Sequence, residues 1–147
     1  MAIVKFEGID EISNSANGKL KLGDPLEFSQ DVLMNGPIRS QAALCSNGTL
    51  DLAVSNYWVC NCTGAMTFSF TNVPSDADVI SLVVQFHNAG SHALTFPSSV
   101  KWGGGTAPAF TTNSDLVGFI TTDRGVSWRG MGLNFDAQVP FTDPTNV

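Results

Sequence analysis

Apolar and polar positions alternate with a period of two along much of the chain beyond residue 40. In Met66-Thr67-Phe68-Ser69-Phe70-Thr71 this period sends Met66, Phe68 and Phe70 to one face and the hydroxyls to the other. Val79-Ile80-Ser81-Leu82-Val83-Val84-Gln85-Phe86 is a denser β-branched run and predicts a central strand buried on both faces. Leu116 to Thr122 and Val126 to Leu133 flank Thr122-Asp123-Arg124-Gly125, where glycine can supply positive φ, and predict a terminal strand pair. Helical spacing of Ala, Glu, Lys and Leu never accumulates over about a dozen positions.

Turn residues punctuate these runs at short intervals. Asn17-Gly18 and Asn47-Gly48 are the strongest local hairpin signals, because both residue types tolerate φ above zero. Gly64-Ala65 and Asn88-Ala89-Gly90-Ser91 do similar work. The expectation is an all-β fold of roughly ten strands, an antiparallel β-sandwich or Greek-key barrel. Residues 1–40 read differently: apolar positions are sparser, six of the 13 acids fall there, and Gly23-Asp24-Pro25 and Asn35-Gly36-Pro37 break any long strand. The predicted organisation is an N-terminal arm or small β-subdomain over 1–40, a β-sandwich module over 41–137, and an extended tail over 138–147 that docks on a neighbour or frays.

Composition narrows the partners. The 147 residues are 43% hydrophobic with ten Phe and three Trp, enough for one filled core. Only 14% are charged and the net charge is −6, where soluble domains carry about 25% charged residues. Between Arg39 and Lys101 there is no Lys or Arg. That rules against nucleic acid as a partner, which needs clustered cations, and against a basic membrane-surface helix. No run of about 18 apolar residues offers a membrane span, and Met1 to Asp10 lacks a signal-peptide core, so synthesis and folding in a cytoplasm are expected.

Candidate chemistry is thin. Cys60 and Cys62 lie two apart and share a face of a strand, with Cys45 on a nearby predicted hairpin. Three thiolates could begin a zinc site, but the spacing is not that of paired knuckles, and an odd count gives no disulfide framework. Buried cysteines acting as small hydrophobes are the plainer reading. His87 and His92 flank a predicted hairpin loop and could face one another; a surface pair without a metal is the plainer reading there too. Gly125-Val126-Ser127-Trp128-Arg129 lacks the second glycine of a nucleophile elbow, and neither Gly103-Gly104-Gly105 nor Gly130-Met131-Gly132 carries a phosphate-cradle lysine. No enzyme, metal or cofactor is expected. Trp102, before three glycines, and Trp128, after a turn, are candidates to present an indole to a partner or a glycan.

From Leu50 onward the chain resembles a β-module of tailed-bacteriophage virion proteins. The residues that carry the likeness are Thr63-Gly64-Ala65-Met66-Thr67-Phe68-Ser69-Phe70-Thr71-Asn72-Val73-Pro74 leading into Ser81-Leu82-Val83-Val84-Gln85, then Val100-Lys101-Trp102-Gly103-Gly104-Gly105, then Thr122-Asp123-Arg124-Gly125-Val126-Ser127-Trp128-Arg129-Gly130. Arg124 stands where that pattern has its first glycine. The likeness spans about residues 50 to 135. It implies a virion structural protein, and a short chain of one module plus an arm implies a capsid decoration, or cement, protein. Such a protein would sit on the capsid surface as a homotrimer bound to the major capsid protein. The alternative is a tail-fibre or receptor-binding component whose Trp102, Trp128 and glycine loops contact host glycans; a lectin or carbohydrate-active enzyme is more remote. If the module trimerises, apolar strand faces and the tail are the candidate interface, with Phe110, Phe119 and Phe135 among them.

Overall fold

The computed structural model describes residues 41–75 and 79–146; the arm or subdomain predicted over 1–40, with its Asn17-Gly18 turn, lies outside the described residues. Among the described residues the fold is all-β. Ten strands follow one another: β1 (Ala43–Cys45), β2 (Thr49–Asp51), β3 (Tyr57–Asn61), β4 (Met66–Thr67), β5 (Ser69–Thr71), β6 (Ile80–His87), β7 (Leu94–Thr95), β8 (Val100–Trp102), β9 (Ser114–Thr121) and β10 (Trp128–Ala137). Single 3-10 turns at Ala89–Ser91, Gly103–Gly105 and Pro144–Asn146 are the only helical pieces described.

Six strands form one sheet in the order β1-β3-β6-β9-β10-β8, and two ladders, β2-β5 and β4-β7, stand apart from it. The sheet is mixed, which corrects the antiparallel expectation. Only β6, β9 and β10 pair antiparallel; β1-β3, β3-β6, β8-β10, β2-β5 and β4-β7 are all parallel. The cause is the route of the chain. It leaves the large sheet after β1 for β2, returns for β3, leaves again for β4 and β5, and returns for β6. Both of these returns lay a strand beside one already placed and in the same direction. Asn47-Gly48 therefore turns the chain from one layer to another and closes no hairpin. Its glycine, at φ +84, is needed for closeness: a Cβ there would lie 2.2 Å from the Thr67 carbonyl oxygen.

Period two holds within the strands. Leu82, Val84 and Phe86 of β6 are buried on the inner face, joined by Trp58 and Cys60 of β3, Val117 and Phe119 of β9, and Trp128 of β10. On the reverse of β6, Ser81 is exposed and Val83 and Gln85 are half-buried, so this strand is fully covered on one face only, against the expectation of two. The Met66–Thr71 alternation also holds, although the run splits at Phe68 into β4 and β5, which pair with different partners.

The two small ladders and the loop after β7 cover the inner face with rings. Phe68 stands edge-on to Phe86 with centroids 5.4 Å apart and stacks on Phe96 at 5.1 Å; Phe70 lies 4.6 Å from Trp128 and 5.4 Å from Phe119. Edge-to-face and offset contacts of this kind add about 0.5–1.5 kcal/mol each beyond area burial.

Candidate functional site

Besides Val54, Val79 and Val126, which lie outside the strands, the exposed large hydrophobics among the described residues fall on β10 and the tail after it, by the outer face of the large sheet. Register places Leu116, Gly118 and Ile120 of β9 on that face, beside Met131 and Arg129 of β10 and Val83 of β6. Trp128 and Gly130 of β10 point the other way, into the core. The strand is built to carry unequal loads on its two sides. A Cβ on Gly130 would lie 2.4 Å from the Trp102 ring, and one on Gly132 would lie 2.1 Å from the Phe135 ring, so glycine on the inner side makes slots for two aromatics. On the outer side Met131 is 42% exposed and Leu133 51% exposed, and both side chains lean over Gly118. Beyond Gly130, β8 no longer pairs with β10, so the strand runs on past its neighbour. Two register shifts, between Gly132 and Asn134 and between Asn134 and Ala137, bend this free stretch.

The tail from Gln138 runs back over the sheet toward edge strand β1. Val139 borders a groove with Tyr57, Gln85 and Leu116; the Phe141 ring stands edge-on to His87 at 5.4 Å; and Thr145 lines a second groove, at edge strand β1, with Leu44 and Trp58. Thus the tail lies on its own sheet. Val139 and Phe141 remain 51% and 36% exposed, so the tail adds two apolar side chains in solvent to Met131 and Leu133 of β10.

Of the indoles predicted to face a partner, Trp128 is buried, held between Phe70 and the sheet, and has no face to offer. Trp102 is half-buried against Phe96, Phe119 and the Gly130 slot, with the exposed Gly103–Gly105 turn beside it. Phe119 is likewise a core residue and is withdrawn as an interface candidate; Phe110 and Phe135 are half-buried and pack on one another at 6.2 Å. The reason is common to all five. Sequence neighbours alone cannot show that rings from β5 and the loop after β7 fold over β9 and β10. Met131 and Leu133 were legible only as part of a glycine-rich stretch, yet the alternation of Trp128, Gly130 and Gly132 with Arg129, Met131 and Leu133 marks the outward residues.

The polar groups that do cluster serve the framework. Asp115 is fully buried and accepts from the Thr111 N–H at 2.6 Å, the Thr111 hydroxyl at 2.7 Å and the Asp136 N–H at 2.9 Å. Asp123 ties the β9–β10 loop, accepting from the Ser127 N–H and hydroxyl and from the Thr121 hydroxyl, and these bonds hold its carboxyl down to about 2. The Gln85 amide nitrogen lies 2.9 Å from His87 Nε2; burial pushes the His87 imidazole below its ordinary range, opposed by the Asp115 charge. His92 follows the Ala89–Ser91 turn on the other side of the loop. Among the described residues no group of three or more His, Cys, Asp or Glu is placed to hold a metal ion, and no helix is long and apolar enough to cross a membrane. Comparison with protein-family models, curated proteins and solved structures gives no match for this chain.

Proposed function

We propose that the chain is a bacteriophage virion structural protein, a capsid decoration protein that works as a homotrimer on the head surface, with the exposed apolar side chains of β10 and the tail turned to a second copy. The observation that carries this reading is the set of exposed apolar side chains: Met131 and Leu133 on a strand that outruns its neighbour β8, and Val139 and Phe141 in the tail, with Val139 sharing a groove with half-buried Leu116. Assembly interfaces place apolar and aromatic groups at their centre and few charges there. The two ladders over the inner face serve in this reading as the second, short-stranded layer of a sandwich. The phage-like motifs support it at the level of backbone. Arg124, at the position where the pattern has glycine, stands at φ +57, and Gly104 and Gly105 in the second motif stand at +75 and +84. Glycine adopts such backbone without strain.

Trp102 beside the exposed Gly103–Gly105 turn is the observation that favours the alternative, a tail-fibre component contacting host glycans. Quantitative mass spectrometry of purified virions separates the two. Hundreds of copies per particle are expected for a decoration protein; a handful assigns the chain to the tail, and none defeats both readings.

A further inference from the structure

β1 and β3 are parallel neighbours whose register sets Cys45 directly opposite Cys60. Strands so paired lie about 4.8 Å apart, inside the Cα separation of about 4.4–6.8 Å that a disulfide spans. Both side chains are buried on the inner face, side by side. The backbone N–H groups of Asn47 and Gly48, in the turn that follows β1, act with Cys60 to favour the Cys45 thiolate. Cys62 is buried close by, but it lies beyond the end of β3 and stands opposite no cysteine in the ladder.

We propose that Cys45 and Cys60 are an oxidisable pair which hydrogen peroxide converts to a cross-strand disulfide, tying edge strand β1 to the sheet. The acidity of Cys45 is raised chiefly by the Cys60 thiol, whereas burial pushes the Cys60 and Cys62 thiols up, Cys62 to about 11. The Cys45 thiolate attacks one peroxide oxygen, the O–O bond breaks, and hydroxide leaves; Cys45 is now a sulfenic acid. The Cys60 sulfur then attacks Cys45 Sγ, the S–O bond breaks, and the sulfenic hydroxyl departs with the Cys60 proton as water. Two thiols and one peroxide give one disulfide and two waters. A small oxidant is required because both sulfurs are buried. The inference is independent of the assembly reading.

The test uses the full chain. It is treated with hydrogen peroxide, quenched, alkylated under denaturing conditions without reductant, and digested. Trypsin would leave all three cysteines on one peptide, since no Lys or Arg lies between Arg39 and Lys101, so cleavage before Asp51 is used. The expected product is an intramolecular link between the Cys45 peptide and Cys60, with loss of two hydrogens and of two of the three alkylatable thiols, Cys62 alone being alkylated. Cys62→Ser should keep the link and Cys45→Ser should lose it. Three alkylated thiols, a link through Cys62, or only intermolecular links in the wild-type chain would overturn the proposal.

Discussion

Asp115 shows how much one side chain can hold together. Its carboxylate accepts from Thr111 and from the Asp136 N–H, joining the start of β9, the loop before it and the end of β10. Replacement by alanine removes a fully buried acceptor and leaves the part-buried N–H groups of Thr111 and Asp136 without it, and Asp115→Ala is expected to cost about 2–4 kcal/mol, read as a lower urea midpoint. Asp123 works at the surface, and its effect is visible in acid. Its folded carboxyl sits at about 2, below the ordinary 3.8, so its contribution is complete above 3.8 and is lost as pH falls through about 2. The amide resonances of Gly125 and Ser127 should shift with that midpoint, and Asp123→Asn should abolish the step. Gly130 carries no charge but fills an equal structural need. Gly130→Ala drives a methyl into the Trp102 ring, and a loss of about 1–3 kcal/mol with a red-shifted tryptophan emission is expected.

At the scale of elements, what could be read along the chain was local and what could not was long-range. The β9–β10 pair around Asp123-Arg124-Gly125 forms as the alternation and turn residues predict. The inward set Leu82, Val84 and Phe86 also follows from period two. Pairing direction did not follow, because alternation fixes which face a residue takes and says nothing about which strand lies beside it. The burial of Trp128 escaped for the same reason: its cover, Phe70, comes from a strand paired with β2. The tail is a third case. Nothing in Gln138 to Asn146 announces that Phe141 will stand on His87, yet the contact has a measurable consequence. The His87 imidazole is held below its ordinary 6.5 by burial, so the fold is favoured by its neutral form above 6.5 and loses that contribution as pH falls from there to the folded value. Phe141→Ala uncovers the ring, and the His87 titration followed by NMR should move up toward 6.5.

For the molecule as a whole, the low charge has two separable consequences. Inside, the ring network through Phe68, Phe86, Phe96 and Phe119 supplies the core, and Phe119→Ala is expected to cost about 3–5 kcal/mol, since it removes a buried ring that meets Phe70, Phe96 and Trp102. Outside, Met131 and Leu133 contribute little to the single chain because they are substantially in water. Their exposure is a cost that association would relieve, and aspartate there would place unpaired charge in the buried centre of the proposed trimer. The two classes of variant should therefore part company. Phe119→Ala lowers the stability of the chain, whereas Met131→Asp with Leu133→Asp leaves it within roughly 1 kcal/mol and abolishes self-association. Sedimentation velocity beside thermal melting distinguishes them: a trimer for the wild type and a folded monomer for the double aspartate variant are expected. A wild-type chain that stays monomeric up to high concentration would remove these side chains as the trimer contact while leaving the core assignment intact.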